Sequence, residues 1–349
     1  MVHQDSAPLR VLYLGGTGTI SASCVRLAVE TGMRVTVVNR GRDSQERGLP
    51  EGAEKLIADV TDDDALLAAI GDRTFDAVVN FLSYDPDDAR RMVTLFGPRT
   101  RQYVHISSAS IYAKPVRQLP ISESTPTAPN PALDYATAKW RTEQALQDAH
   151  VTQGFPLTVV RPSHTYDDAS PPLPGGWTVV DRIARGEEIP VHGDGTSLWT
   201  LTHADDFAQG LVGLLGNPRA IGETFNVTSP DVYTWDQIYT IIAEALGVAP
   251  RLVHVASEMF PLVAPAWFWS GEMVGDIGHS ATFDTTKIRT FVPGFFPRLT
   301  FHRAASRMVQ WRRDHPETTR PDPDTEAVLT RIVGAYHAAR DVFVARGAS

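Results

Sequence analysis

Cysteine is almost absent from this 349-residue chain: Cys24 is the only one, which excludes an internal disulfide framework and any multi-cysteine zinc site. Lysine is scarce, with only Lys55, Lys114, Lys139 and Lys287 among 32 basic residues. Positive charge is in deficit overall, 32 basic against 41 acidic residues giving a net charge of −9. Nucleic acid and anionic membrane both demand a basic face, so neither is expected as the main partner. Long apolar runs are lacking as well. The nearest, 259–269, is interrupted by Pro261 and Pro265 and falls short of the ~18–20 residues of a membrane span. The polar start and the four-residue run 11–14, broken by Gly15 and Gly16, do not make a secretory signal. The expectation is a cytoplasmic, reduced protein without a metal site.

What is present is an ordinary globular composition, 42% hydrophobic and 21% charged, at a length suited to one large domain or two fused ones. Short β-type runs at 10–14, 34–38, 56–58, 76–81, 101–106 and 157–161 alternate with helical stretches at 21–31, 62–70, 85–96 and 135–149. Such alternation predicts an α/β fold, a Rossmann-type doubly wound parallel sheet with helices on both faces. Residues 1–165 are therefore read as a dinucleotide-binding domain, with a return strand near 223–227. After Pro162 the pattern changes: Pro171, Pro172, Pro174, Gly175 and Gly176 cluster, and six of seven tryptophans follow. Residues 166–320, with helices at 205–215 and 235–246, are read as a smaller α+β substrate region forming one wall of a cleft. The stretch 321–349 is read as a linker, begun by Arg320-Pro-Asp-Pro-Asp324, and a last helix over about 325–345.

The turn Leu14-Gly-Gly-Thr-Gly-Thr-Ile-Ser21 follows the first strand and opens the first helix. A dinucleotide pyrophosphate needs the positive end of a helix and backbone N–H donors. Gly15 would permit the tight turn, Gly18 the close approach to phosphate, and Thr17, Thr19 and Ile20 would complete the cradle. Alone, such a turn could be an ordinary strand-to-helix connection; its place in the first βαβ unit points to a nucleotide. At the end of the second strand Asn39-Arg40-Gly41-Arg42 carries no carboxylate, which favours the 2′-phosphate of NADP without excluding NAD. Asp59 and Val60, after the third strand, are placed to meet the adenine.

Tyr135-Ala-Thr-Ala-Lys139 sets a phenol and an ammonium one helical turn apart on one face. A neighbouring positive charge favours the phenolate, so Tyr135 is expected to be acidified by Lys139 and to shuttle a proton for an alcohol/ketone pair. The segment His105-Ile-Ser-Ser-Ala-Ser-Ile-Tyr112 puts hydroxyls, Ser108 and Ser110 among them, at the carboxyl edge of the sheet, where open α/β sheets bind ligands. There Ser108 can hydrogen-bond the oxygen that Tyr135 protonates; a turn or cap is the plainer use of such serines.

Together, the glycine turn, Ser108, Tyr135-x-x-x-Lys139 and the Arg161-Pro162 strand end resemble the extended short-chain dehydrogenase/reductase superfamily, in its NAD-dependent epimerase/dehydratase branch. The resemblance covers nearly the whole chain, including 193–206 and the run from Phe283 to Trp311. It implies a catalytic triad of Ser108, Tyr135 and Lys139, with Pro162 and His164 near the nicotinamide and Phe81 and Ser83 beside the cofactor ribose. It also implies a substrate site of Ser108, Ser110, Tyr135, His164 and Trp199. Two departures bear on the substrate. Ser108-Ala109-Ser110 stands where dehydratases of the branch carry Thr-Asp-Glu, which disfavours elimination of water. Trp199 stands where the epimerases place an Arg on the substrate diphosphate, so either Arg182, Arg185, Arg251 or another Arg substitutes, or the substrate lacks a diphosphate.

The reading that results is an NAD(P)-dependent sugar or nucleotide-sugar epimerase working through a transient ketone. The alternatives are a net NADPH-dependent carbonyl reductase with the same triad, and a non-catalytic cofactor-sensing or RNA-associated relative. The resemblance also implies a homodimer through helices 85–96 and 135–149, unless the tail helix covers that face or docks elsewhere.

Overall fold

The computed structural model describes residues 7–41, 47–317 and 321–347; Arg42 and Arg320 lie outside them. The first half alternates strand and helix: β1 (Arg10–Leu14), α1 (Ser21–Glu30), β2 (Arg34–Asn39), β3 (Ala53–Ile57), α2 (Asp63–Ile70), β4 (Ala77–Asn80), α3 (Pro86–Phe96), β5 (Tyr103–Ile106), α4 (Asp134–Gln153) and β6 (Leu157–Pro162). β4, β5 and β6 are buried along their whole length, as strands covered on both faces must be. Local chemistry sets the helix ends. Asp62 and Asp85 cap α2 and α3 through their side chains, and Gly154 ends α4 in the left-handed conformation.

The second half runs β7 (His164–Tyr166), α5 (Trp177–Ala184), β8 (Glu188–His192), β9 (Leu198–Trp199), β10 (Leu201–His203), α6 (Ala204–Leu214), β11 (Thr224–Val227), β12 (Tyr233–Thr234), α7 (Trp235–Leu246), β13 (Arg251–Val255), α8 (Met259–Val263), α9 (Phe268–Gly275), α10 (Thr286–Phe291), α11 (Phe301–Asp314) and α12 (Pro323–Gly347).

The central sheet has seven strands in the order β11-β6-β5-β4-β1-β2-β3, and every adjacent pair is parallel. The return strand lies at 224–227, beside β6. One face of the sheet packs Cys24, Val25 and Ala28 of α1 with Phe207 and Leu211 of α6 and Ile288 of α10. The other packs Leu66 and Ile70 of α2, Met92 of α3 and Leu146 of α4. The excursion back to the first layer is therefore larger than the sequence suggests, since α6 and α10 return with β11.

A third core, built on Trp235, Ile238, Tyr239, Ile242 and Met308, holds the remaining helices around the parallel pair β8–β13. α12 buries Leu329 and Ile332 in that core and ties Glu326 to Arg182 at 2.5 Å. The tail helix thus docks on this third core. Among the described residues, no helix is long and apolar enough to cross a membrane.

Candidate active site

The carboxyl ends of β1, β2, β4 and β5 open on a cleft of about 360 Å³ lined by the glycine turn, Thr17, Thr19, Ile20, Asn39, Arg40, Val60, Phe81 and Pro162, with Ser108, Tyr135 and Lys139 at its far end. Gly15 has φ +81°, and a Cβ there would meet Leu82 at 2.9 Å. At Gly16 a Cβ would stand 2.5 Å from Val37, so the close packing of helix on strand falls to this residue. Gly18 is less crowded: its N–H donates to Ser21 Oγ at 2.8 Å, and a Cβ would meet only that oxygen, at 3.3 Å. α1 begins without a side-chain cap and without an acidic residue in its first turn, which leaves its positive end turned to the cleft. The amide nitrogen of Asn39 is buried with no partner among the described residues. Arg40 is exposed at the rim. These features fit a dinucleotide, its pyrophosphate on the first turn of α1.

Three expected cofactor residues, Ser83, Asp59 and His164, do not line the cleft, and His164 lies in a second cavity instead. Ser83 is 1% exposed and faces a separate small hollow with Asn80, Asp88 and Met92, while its neighbours Leu82 and Tyr84 line the cleft. Asp59 turns its carboxylate onto its own loop, accepting from the N–H of Thr61 at 3.0 Å and its hydroxyl at 2.8 Å; Ala58 and Val60 face the cleft instead.

The serine, tyrosine and lysine come together where β5 meets α4. Ser108 follows β5 and caps a short turn, Oγ accepting from Ser110 N–H at 3.1 Å, with the two hydroxyls 2.8 Å apart. The cap and the cavity-facing hydroxyl are the same atom. Tyr135 lies in the first turn of α4 and Lys139 one turn on. Lys139 Nζ donates to Ile106 O at 2.9 Å and Ser83 O at 3.0 Å and stands 3.9 Å from the centre of the Tyr84 ring.

Burial is the largest influence on both groups. Desolvation pushes the Tyr135 phenol well above its ordinary value, nearby Tyr84 adds to this, and a hydrogen bond from Ser108 opposes it. Lys139 is the group brought near neutrality: burial pulls its ammonium down to about 7. Lys139 is not among the groups that shift the Tyr135 phenol; its N–H donors engage two backbone carbonyls, and the cost of burying charge dominates both groups.

Tyr135 and Ser108 also line a second cavity, of about 170 Å³, with Ser110, His164 and Trp199. Trp199 Nε1 donates to His164 Nδ1 at 3.2 Å, and His164 stacks on Trp269 with ring centroids 6.0 Å apart. Enclosure holds that imidazole neutral, its pKa lowered to about 4. Arg182, Arg185 and Arg251 do not approach the cavity. Arg182 pairs with Glu326 and Glu187, Arg185 with Glu187 and Glu326, and Arg251 with Glu188.

The sequence reading missed Lys114, Trp269, Glu272 and Asp276, all of which line this cavity. Lys114 Nζ lies 2.7 Å from Asp276 Oδ1 in an ion pair whose side chains are 7% and 9% exposed. The signal that could have found them is a lone acid, Glu272, within the otherwise uncharged run Phe268-Trp-Ser-Gly-Glu-Met-Val-Gly275.

A family model described as the NAD dependent epimerase/dehydratase family matches residues 11–228. A 2′-dehydrokanamycin reductase from Streptomyces kanamyceticus is 28% identical over 273 residues, covering 77% of this chain and 72% of its own. The chloroplast stem-loop binding protein of 41 kDa b from Arabidopsis thaliana is 26% identical over 270 residues, 73% and 68% of the two chains. The structure of UDP-glucose 4-epimerase from Bifidobacterium longum, solved with NAD+ and UDP, shares the fold at a TM-score of 0.69 and 21% identity, over 89% of this chain and all of the other (100%).

Proposed function

Because the chain belongs to the NAD-dependent epimerase/dehydratase family, and is thereby an enzyme of the extended short-chain dehydrogenase/reductase type, we propose that it reduces a ketone on a polar, sugar-sized substrate that carries no nucleoside diphosphate. The observation that carries this reading is the shared wall: Ser108 and Tyr135 line both the cofactor cleft and the smaller cavity, and burial keeps the phenol protonated. A protonated phenol is the form with which reduction begins.

A nicotinamide held in the cleft would supply the hydride for the carbonyl carbon. Tyr135 Oη donates its proton to the carbonyl oxygen, and the Ser108 hydroxyl donates a hydrogen bond to the same oxygen as charge develops on it. Lys139, fixed by Ile106 O and Ser83 O, places its amine one helical turn from the phenolate that the transfer leaves. Cofactor contacts are assigned to Gly15, Gly16, Thr17, Gly18, Thr19, Ile20, Asn39, Arg40, Val60, Phe81 and Pro162. Arg40 supports NADP over NAD, since its exposed guanidinium lines the cleft without an ion pair among the described residues. Trp199, His164 and Ser110 are assigned to the substrate.

Epimerisation of a sugar through a transient ketone is the second reading, favoured by the family itself. It starts by removing a carbinol proton, for which Tyr135 must first ionise, and nucleotide-sugar substrates bring a diphosphate that no arginine of the smaller cavity meets. A non-catalytic binding role fits less well with the three assembled side chains and the net charge of −9.

The test is to incubate the purified protein with NADPH and a panel of keto sugars. One cofactor oxidised per alcohol formed, with turnover lowered by about 10²–10⁴ in Tyr135→Phe, supports the reductase. A diastereomer formed without net cofactor oxidation supports the epimerase.

A further inference from the structure

The smaller cavity carries a carboxyl group that nothing in the fold uses. Glu272, on α9, is 8% exposed and lines the cavity beside Ser108 and Tyr135. Its side chain makes no hydrogen bond or ion pair within 4 Å with any described residue. Its neighbours are differently placed: Asp276 is taken by Lys114 at 2.7 Å, and His164 Nδ1 accepts from Trp199. An acid taken from water without a partner is costly, so this position calls for a partner that arrives from outside.

The wall bearing Glu272 is built to stay in place. Asn130, five residues before Tyr135, donates through Nδ2 to Gly275 O at 2.7 Å. The carbonyl of Ile277 accepts from Trp235 Nε1 at 3.2 Å and Ser197 Oγ at 3.2 Å, and lies 3.0 Å from His192 Nε2. Glu272 is thereby held at a fixed place relative to the phenol, as a recognition group must be.

We propose that Glu272 selects the substrate, and that the cavity takes an alkylammonium-bearing cyclic alcohol or ketone whose amine pairs with the Glu272 carboxylate. The charges facing the site support a cation. Lys114, from the loop after the Ser108 turn, is neutralised by Asp276 at the end of α9. His164 of β7 is neutral, as is Tyr135 of α4. Lys139, near neutrality, lines only the adjoining cleft. An ionised Glu272 therefore gives the cavity one uncompensated negative charge, and no lysine or arginine other than Lys114 is among its described lining residues. Burial and the nearby Asp276 raise the Glu272 pKa above its ordinary value, against the opposing pull of Lys114. The arriving ammonium favours the ionised carboxyl, so a proton held there passes to the solvent as the ammonium docks; no bond within the substrate changes.

This inference rests on the smaller cavity being the substrate pocket of the proposed reductase. Its test reads binding alone, so failed turnover and failed selectivity are separate results. The probes are 2-deoxystreptamine, a six-membered ring with two ammonium groups, and myo-inositol, a neutral ring of the same size. Each is titrated at pH 7 into the full-length protein with NADP present, by calorimetry and by the fluorescence of Trp199 and Trp269. The expected result is at least about tenfold tighter binding of the diamine, with proton release seen as a dependence of the heat on buffer ionisation enthalpy. In Glu272→Gln that preference and the proton release both disappear. Equal affinity for the two rings, binding of neither, or a preference that survives in Glu272→Gln overturns the proposal. The preference between the two rings, measured on the unsubstituted protein, decides the matter even if the variant folds poorly.

Discussion

Glu143 and Arg161 form an ion pair at the heart of the molecule, with side chains 0% and 4% exposed. Arg161 Nε reaches Glu143 Oε2 at 3.1 Å, and its Nη1 donates to Tyr112 Oη at 2.9 Å. Tyr112 in turn donates to Asn226 Oδ1 at 2.7 Å. Tyr135, Lys139 and Glu143 are spaced four residues apart along α4, so one face of one helix carries the phenol, the lysine and the link to β6 and β11. Removing one partner strands the other as a buried charge. Glu143→Ala should lower unfolding free energy by about 3–5 kcal/mol, read by chemical denaturation. Arg161→Met should cost a similar amount, and combining the two should cost less than their sum.

The rim of the cofactor cleft makes a second prediction. If Arg40 meets a 2′-phosphate, Arg40→Ala should raise KM for NADPH by about tenfold or more, the equivalent of one lost charge-assisted contact, and leave KM for NADH nearly unchanged. Steady-state kinetics with each cofactor checks this; equal changes in both would remove the reason for preferring NADP.

Lys139 makes a prediction in pH. Its pKa is about 7 in the fold against an ordinary ~10.4 in the unfolded chain. Between these values the unfolded state holds a proton that the folded state does not, so this group's contribution to stability rises with pH across that window and is lost as pH falls through about 7. Lys139→Met removes the dependence. The melting temperature of the unsubstituted protein, relative to the variant, should therefore climb from pH 7 toward pH 10. The variant should lose turnover at every pH.

Gly16 supplies a packing test. A methyl group there would lie 2.5 Å from Val37 Cγ1 and 3.3 Å from Val25 Cγ2. Gly16→Ala should destabilise by about 1–3 kcal/mol through overpacking, and Val37→Ala should recover part of that loss in the double variant.

The parallel sheet was legible because its strands are short, β-branched and separated by helical stretches, and the pattern is strongest where both faces are buried. β8 was not legible, since Pro190 sits in its middle and proline argues against a strand; a two-stranded pairing with β13 tolerates it. Ser108, Tyr135 and Lys139 were legible because their spacing is local, within one turn or at one strand end. Glu272 and Asp276 were not, because the chain returns to the cavity more than a hundred residues after Tyr135 and no local pattern announces a contact of that separation; Lys114, in a loop before Tyr135, gains its partner only through that return. The Tyr135 proton balance escaped for a related reason: spacing shows which charges are neighbours, whereas burial, a property of the whole fold, decides which of them survive.

The aromatic enclosure around His164 has a consequence for spectroscopy. Trp199 bonds to this imidazole and Trp269 stacks on it, so two of the seven indoles report on one small space, next to the phenol that would hand over the proton. Occupancy of that space should be visible as a change in emission under steady illumination, with no label attached and no reaction run.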